Sequence, residues 1–200
     1  VFQGGGDNQL LAYDAASGEL LWAAGLQTAA MAPPVSYSLD GEQYIAIAAG
    51  FGGGFAAEGG AVAHHWDVPN ISRVVAFKLG GEHELPPIPE DTRQMPEPAP
   101  VTASAEVIER GHEVYARHCS YCHGDGLRTG GVTPDLRWSS PQVHEIWQDI
   151  VRGGILEARG MVGFSDFVTE EDAEGIRQYV LAEANRLYRR NHPEQPARGD

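Results

Sequence analysis

Residues 119–123 read Cys119-Ser120-Tyr121-Cys122-His123, and they hold the only two cysteines in 200 residues. Two thiols at this spacing can add to the two vinyl groups of one porphyrin, and the next residue, a histidine, then falls beneath the iron. Two other chemistries share the spacing. A thioredoxin-like redox pair opens a helix within a βαβ unit, whereas here an amphipathic helical pattern leads into the pair. A cysteine-rich zinc site requires a second cysteine pair, and a disulfide framework requires more cysteines still. The stretch therefore reads as a covalent haem c site, with Cys119 and Cys122 as the attachment points and His123 as an axial iron ligand.

The iron's other axial position calls for a thioether or an imidazole. Of Met31, Met95 and Met161, only Met161 follows the haem motif. It lies in Arg159-Gly160-Met161-Val162-Gly163, a glycine-flanked loop ahead of the last helical segment, and is the expected distal ligand. Elsewhere a lone methionine reads as a core gap-filler. His144 is the rival, expected on a solvated face, and surface roles suit His112 and His118. Ten residues past the motif comes Thr133-Pro134-Asp135-Leu136-Arg137. A proximal imidazole needs an acceptor for its Nδ1–H, and the Pro134 carbonyl is the candidate. Arg137 reads equally as the fork for a haem propionate or as a surface arginine.

Around the motif the pattern is helical. Ser104–His118 puts Val107, Ile108, Val114 and Tyr115 on one face. Ser140-Pro141 is an N-cap followed by a proline at the first helical position, and Val143, Ile146, Trp147, Ile150 and Val151 then recur at helical spacing up to Gly153. Thr169 caps a last helix, with Glu170, Glu171 and Asp172 in its first turn and Ile176, Tyr179, Val180 and Leu187 as its stripe. Upstream, the pattern changes. Gln9–Tyr13, Glu19–Ala24, Val35–Leu39, Glu42–Ala49 and Arg73–Leu79 alternate as strands, with turn chemistry at Asp14 to Gly18 and at Asp40-Gly41. Between these parts, residues 81–103 carry six of the 13 prolines and no periodicity. The expected division is a β part over 1–80, a Pro-rich linker over 81–103, a helical cytochrome c domain over 104–190 and a polar tail over 191–200.

Composition narrows the partners. Acidic residues outnumber basic ones 28 to 14, for a net charge of −14, which repels nucleic acid and anionic membrane surfaces. No apolar run reaches the length of a membrane span; the nearest, Tyr44 to Ala57, is broken by Gly50, Gly52, Gly53 and Gly54. The chain opens Val1-Phe2-Gln3-Gly4-Gly5-Gly6, without an initiator Met or a signal-peptide pattern, and so reads as a processed product or a piece of something longer. Gly52 to Ala57 fits a dinucleotide-loop pattern, but Glu58-Gly59-Gly60 and Pro69 follow where a helix should, so that reading is set aside.

Two stretches carry a resemblance. Ala12-Tyr13-Asp14-Ala15-Ala16-Ser17-Gly18-Glu19-Leu20-Leu21-Trp22 resembles the tryptophan-docking motif of the pyrroloquinoline quinone (PQQ) dehydrogenase propellers. The stretches Asp40 to Tyr44, Gly50 to Gly53 and Arg73 to Leu79 are similar to the same family's C-terminal blades. With a cytochrome c domain joined by a Pro-rich linker, nearly the whole chain resembles the C-terminal part of a quinohaemoprotein alcohol dehydrogenase.

That resemblance implies an incomplete β-propeller, the last blades of an eight-bladed one, followed by an all-α class I cytochrome c domain. It implies PQQ and Ca²⁺ on the propeller axis of the intact protein, an aspartate base and electrons passing singly from reduced PQQ to the haem. It also implies a periplasmic location, an alcohol substrate and an external electron acceptor, either a small redox protein or the quinone pool. No residue here matches the catalytic aspartate or the Ca²⁺ ligands, since Asp14 and Asp40 belong to turns. The adjacent cysteine pair that stacks on PQQ is absent as well. Two other readings remain at this stage, a stand-alone electron-transfer cytochrome with a β appendage and a non-enzymatic propeller scaffold.

Overall fold

The computed structural model describes residues 1–51, 69–82, 84–129 and 133–194. They form two compact units, Val1–Thr92 with Arg128–Thr133, and Arg93–Leu127 with Pro134–Asp200.

The first unit holds two three-stranded antiparallel sheets. One runs β1 (Phe2–Gly4), β2 (Gln9–Tyr13), β3 (Leu20–Gly25); the other runs β4 (Val35–Leu39), β5 (Glu42–Ala49), β6 (Arg73–Lys78). The β2–β3 turn forms because Asp14 Oδ1 accepts the backbone N–H groups of Ala16 and Ser17 at 2.9 and 2.8 Å. At the β4–β5 hairpin, Asp40 and Gly41 both take positive φ (53° and 81°), the geometry that matches strand twist. Strand β1 was not foreseen; it is three residues long, and its glycine-rich surroundings mask the alternation. Leu10 and Leu26 from one sheet and its exit pack with Ile45, Ile47, Ala49 and Val75 of the other. Trp22 meets Phe77 edge-on at 5.2 Å, so the tryptophan of the docking-like motif does join one sheet to the next. Among the described residues the sheets do not close into a ring, and Val35, Tyr37, Leu39 and Val74 stand exposed along them. Gly52 to Ala57, the dinucleotide-like loop, lies outside the described residues.

The second unit is helical: α1 (Ala105–His118), α2 (Ser120–His123), α3 (Pro141–Glu145), α4 (Trp147–Val151) and α5 (Glu170–Asn191). Its core gathers Val114 and Tyr115 of α1, Trp147 and Val151 of α4, and Ala173, Ile176, Tyr179 and Val180 of α5. Trp147 Nε1 donates to Ala173 O at 2.8 Å, giving the buried indole its partner. The helix expected to run on from Ser140 past Ile150 breaks at Ile146 (φ −105°, ψ 23°), leaving two five-residue helices. Ile146, expected in the stripe, is exposed as a result. His144, expected to be solvated, is half-buried and stacks on Trp147. The break turns the helical face, which periodicity alone cannot register.

The Pro-rich stretch forms no helix or strand, yet its second half is packed. Met95 is buried with Ala184 and Leu187, and the Arg93 guanidinium lies 5.2 Å over the Trp138 ring. Gln178 Oε1 accepts Thr102 N and Ala103 N, and Asn185 Nδ2 donates to Ala99 O. Residues 93–103 are thus a strap on the second unit, where the sequence suggested an extended linker.

Thr169 and Asp172 form a reciprocal capping box at the start of α5, and Arg110 of α1 bonds Asp172 at 3.1 Å. Burial raises the Asp172 carboxyl, but the Thr169 hydrogen bonds and Arg110 outweigh it and hold it below its ordinary value of 3.8. An acid depressed in the folded state stabilises the fold above its unfolded pKa and loses that contribution as pH falls through the folded value. Asp172→Asn should therefore cost stability at pH 7 and converge with wild type as pH falls through the lowered Asp172 pKa. A pH series of denaturant melts checks this; a penalty that stays constant into acid would show the carboxylate charge to be irrelevant.

Candidate haem site

Helix α1 delivers the motif. Cys119 caps it, with its N–H donating to Tyr115 O, and His123 N donates to Cys119 O at 2.9 Å, so the five motif residues turn once about the helix end. Gly124 stops the turn at φ 75°, and the buried Tyr115 hydroxyl donates to Gly124 O at 2.6 Å. Tyr115 was foreseen only as a stripe residue; its hydroxyl also ties the helix to the motif's exit.

Neither cysteine is in a disulfide; Cys119 is half-buried and Cys122 exposed. Burial, with a smaller contribution from Cys122, pushes the Cys119 thiol up to about 12. Disulfide exchange depends on a lowered thiol pKa, so Cys119 is poorly suited to thioredoxin-like chemistry. His123 is buried, only 9% exposed, and burial lowers its pKa, which favours the neutral imidazole that binds metal. Its Nδ1 lies 3.3 Å from Pro134 O. A carbonyl only accepts, so Nδ1 carries the proton and Nε2 keeps the lone pair. His118 and His123 also have the spacing of a zinc-ligand pair, but the His118 ring stacks on Phe167. Among the described residues no group of three or more His, Cys, Asp or Glu side chains is placed to hold a metal ion.

Met161 packs half-buried against the core cluster that also takes Cys119, Leu136 and Phe164. The other methionines are placed elsewhere: Met95 in the strap, against Ala184 and Leu187, and Met31 against Ala29 and Phe51 in the first unit. Arg137 is paired within its own loop. Its Nε and Nη2 donate to the two Asp135 carboxylate oxygens at 2.9 and 2.5 Å, and its backbone N–H donates to Asp135 Oδ1 at 3.0 Å. This knot sits directly after Pro134 and fixes the loop that presents its carbonyl. The partner, Asp135, was named within the loop but given no role.

The surroundings fit a large planar apolar group. In the second unit Tyr121, Ile155, Val162 and Phe167 are all more than half exposed, Phe167 at 71%. Tyr121 belongs to the cysteine motif, and the other three flank Met161 in sequence. Exposed apolar side chains of this kind are what a porphyrin could cover. Two thiols and a buried imidazole with its Nδ1 engaged form a donor set matched to haem c.

Known proteins agree. Residues 106–180 match the family model described as cytochrome c oxidase, cbb3-type, subunit III, and residues 1–45 match that of the glucose/ethanol/alcohol dehydrogenase β-propeller domain. The chain is 39% identical over 197 residues to quinohemoprotein alcohol dehydrogenase ADH IIB of Pseudomonas putida, covering 98% of this chain and 29% of that protein. It is 40% identical to the dehydrogenase subunit of alcohol dehydrogenase (quinone) from Gluconobacter oxydans, covering 94% of this chain and 25% of that one. Among solved structures, quinohemoprotein alcohol dehydrogenase ADHIIG of Pseudomonas putida superposes with a TM-score of 0.75 at 37% identity, over 94% of this chain and 27% of the other. The Comamonas testosteroni quinohemoprotein alcohol dehydrogenase gives 0.62 at 28% identity, over 93% and 26%. The chain thus spans less than a third of the length of the relatives it matches.

Proposed function

We propose that this chain, homologous along nearly all of its length to the C-terminal part of the quinohaemoprotein alcohol dehydrogenases, is the electron-exit region of such an enzyme. Cys119 and Cys122 would hold one haem c covalently, and His123 Nε2 and the Met161 thioether would be the protein's donors to its iron. Bound haem contributes one-electron Fe(III)/Fe(II) chemistry, and the proposed thioether raises its potential relative to an imidazole in that position. Pro134 O holds the His123 proton on Nδ1, which orients the ring and keeps its other nitrogen basic. The Asp135–Arg137 pair keeps that carbonyl in place. Val168 belongs to the core cluster against which Met161 and Phe164 pack, and the exposed Tyr121, Val162 and Phe167 side chains would help to shield a bound porphyrin from water.

The six strands of the first unit supply the last blades of the propeller, whose remaining sheets come from the rest of the longer protein. In that protein the propeller would hold PQQ and Ca²⁺ and receive the alcohol; no catalytic residue is assigned in the present chain. The acceptor is a small redox protein or a quinone, and the compartment is the periplasm, where haem c is attached. Among the described residues no helix is long and apolar enough to cross a membrane.

One observation carries the reading: a C-x-x-C-H turn at the end of a helix, with its histidine buried and its Nδ1 engaged by Pro134 O. The test is expression in the periplasm with the cytochrome maturation machinery, followed by a haem stain after denaturing electrophoresis. The chain should stain, and Cys119→Ser/Cys122→Ser should not. A colourless band from the wild-type chain under those conditions removes the proposal.

A further inference from the structure

The segment bearing Met161 leaves the end of α4 at Gly154 and returns to the same place at Gly163. A Cβ built on Gly163 would stand 2.7 Å from Arg152 O, 3.0 Å from Gly154 N and 3.1 Å from Gly154 Cα. All three obstacles are backbone, so the two passes of the chain touch with no room for a side chain. Gly154 adds a φ of 68°, which an L side chain rarely adopts. Phe164 N then donates to Val151 O at 2.9 Å and sews the returning pass to α4.

Arg152 closes the far side. Its Nε donates to Val168 O at 3.0 Å and its Nη1 to Glu170 Oε1 at 2.9 Å, while Gln148 Nε2 donates to Glu170 O at 3.0 Å. The side chain is only 27% exposed, although Glu170 is mostly in solvent. One guanidinium therefore ties α4 to the end of the loop and to the first turn of α5. Within the loop, Met161 lies two residues before the glycine contact, and its N–H donates to Leu156 O at 3.3 Å.

We propose that Arg152 and the Gly154–Gly163 contact are positioning residues for Met161; this rests on the reading of Met161 as the iron's thioether ligand. A neutral thioether on a flexible side chain is a weak competitor when its loop is free, because closing the loop and ordering the side chain both cost entropy. A closed neck removes that cost in advance. Gly163, set against Gly154, is the latch of the loop. Gly160 adopts the left-handed conformation at the end of a short 3₁₀ turn with open space around it.

The test compares Met161→Ala, Arg152→Ala, Arg152→Lys and Gly163→Ala in the haem-loaded chain. Haem staining and far-ultraviolet circular dichroism verify attachment and folding. The readouts are the weak long-wavelength Fe(III)–sulfur absorption, the reduction potential and carbon monoxide binding to the ferrous protein. Met161→Ala should abolish the absorption. Arg152→Ala and Gly163→Ala should keep the haem but weaken the absorption, lower the potential and raise the fraction open to carbon monoxide about tenfold or more, as for loss of a hydrogen bond to a charged group. Arg152→Lys, which keeps the charge without the fork, should fall between. If Arg152→Ala does not fold, Gly163→Ala and Arg152→Lys decide. Should Met161→Ala abolish the absorption while the folded neck variants match wild type in all three readouts, the positioning role is overturned. Should Met161→Ala itself keep a wild-type spectrum, the ligand reading is what fails.

Discussion

Replacing Gly111 with alanine is expected to destabilise the helical unit by about 3 kcal/mol, at the upper end of typical overpacking costs, whereas the same change at Gly175 is expected to be neutral or slightly stabilising. Helix propensity alone predicts the reverse for Gly111, since alanine is better than glycine in a helix interior by roughly 1 kcal/mol. Packing decides. A Cβ on Gly111 would lie 2.0 Å from Gly175 O, 2.2 Å from Gly175 C and 2.8 Å from Ile176 N. All are backbone atoms of α5, so no rotamer change relieves the overlap and the helices must separate by more than an ångström. Val114, Tyr115, Ile176, Tyr179 and Val180, buried around this crossing, would lose close contact together. A Cβ on Gly175 meets Gly111 Cα at 3.4 Å and Val107 O at 3.4 Å, which is ordinary contact. Urea melts followed at the helical band distinguish the two variants. Equal stabilities would mean that α1 and α5 do not cross backbone to backbone.

This asymmetry shows where sequence reading stops. The stripes of α1 and α5 are legible because an apolar face repeats every three or four residues, and Val114, Tyr115, Ile176, Tyr179, Val180 and Leu187 are all buried. A glycine within such a stripe, however, has the same local signature whether it allows a crossing or is merely tolerated. Hairpin strands were legible for a similar reason, since Asp40-Gly41 and Asp14 to Gly18 fix turns by local chemistry. The C-x-x-C-H turn, its Met161 loop and the Pro134 carbonyl were legible as a list because each has a local pattern. Their support was not. Arg152, Asp135 and the Tyr115 hydroxyl act on partners such as Val168, Arg137 and Gly124, and nothing in the sequence marks those pairings. His144 was misplaced because the helix breaks just after it, at Ile146, and its ring stacks on Trp147 from beyond the break.

The second large effect concerns the strap. Met95→Ala and Gln178→Ala should each lower the stability of the second unit by about 2 kcal/mol, from lost apolar burial in one case and lost buried hydrogen bonds in the other. Gln178 is only 1% exposed, and both ends of its amide are engaged: Oε1 by Thr102 N and Ala103 N, Nε2 by Thr102 Oγ1 and Glu174 Oε1. Met95 anchors the other end of the same segment between Ala184 and Leu187. Because both anchors hold one strap, the double variant should cost less than the sum of the singles: once the strap has peeled away, the remaining anchor has nothing left to lose. Amide exchange supplies the local readout. Thr102 and Ala103 should exchange slowly in the wild-type chain and rapidly in Gln178→Ala, whereas residues 84–92, outside the strap, should exchange rapidly in both. Proline-rich composition suggested a stretch that spaces two domains, but composition reports only that the backbone is extended. An extended backbone can dock as readily as it can span, given an acceptor such as Gln178 and a cavity sized for Met95. Unchanged stability in both variants, with rapid exchange at Thr102 and Ala103 from the start, would return the whole of 81–103 to the role of a spacer.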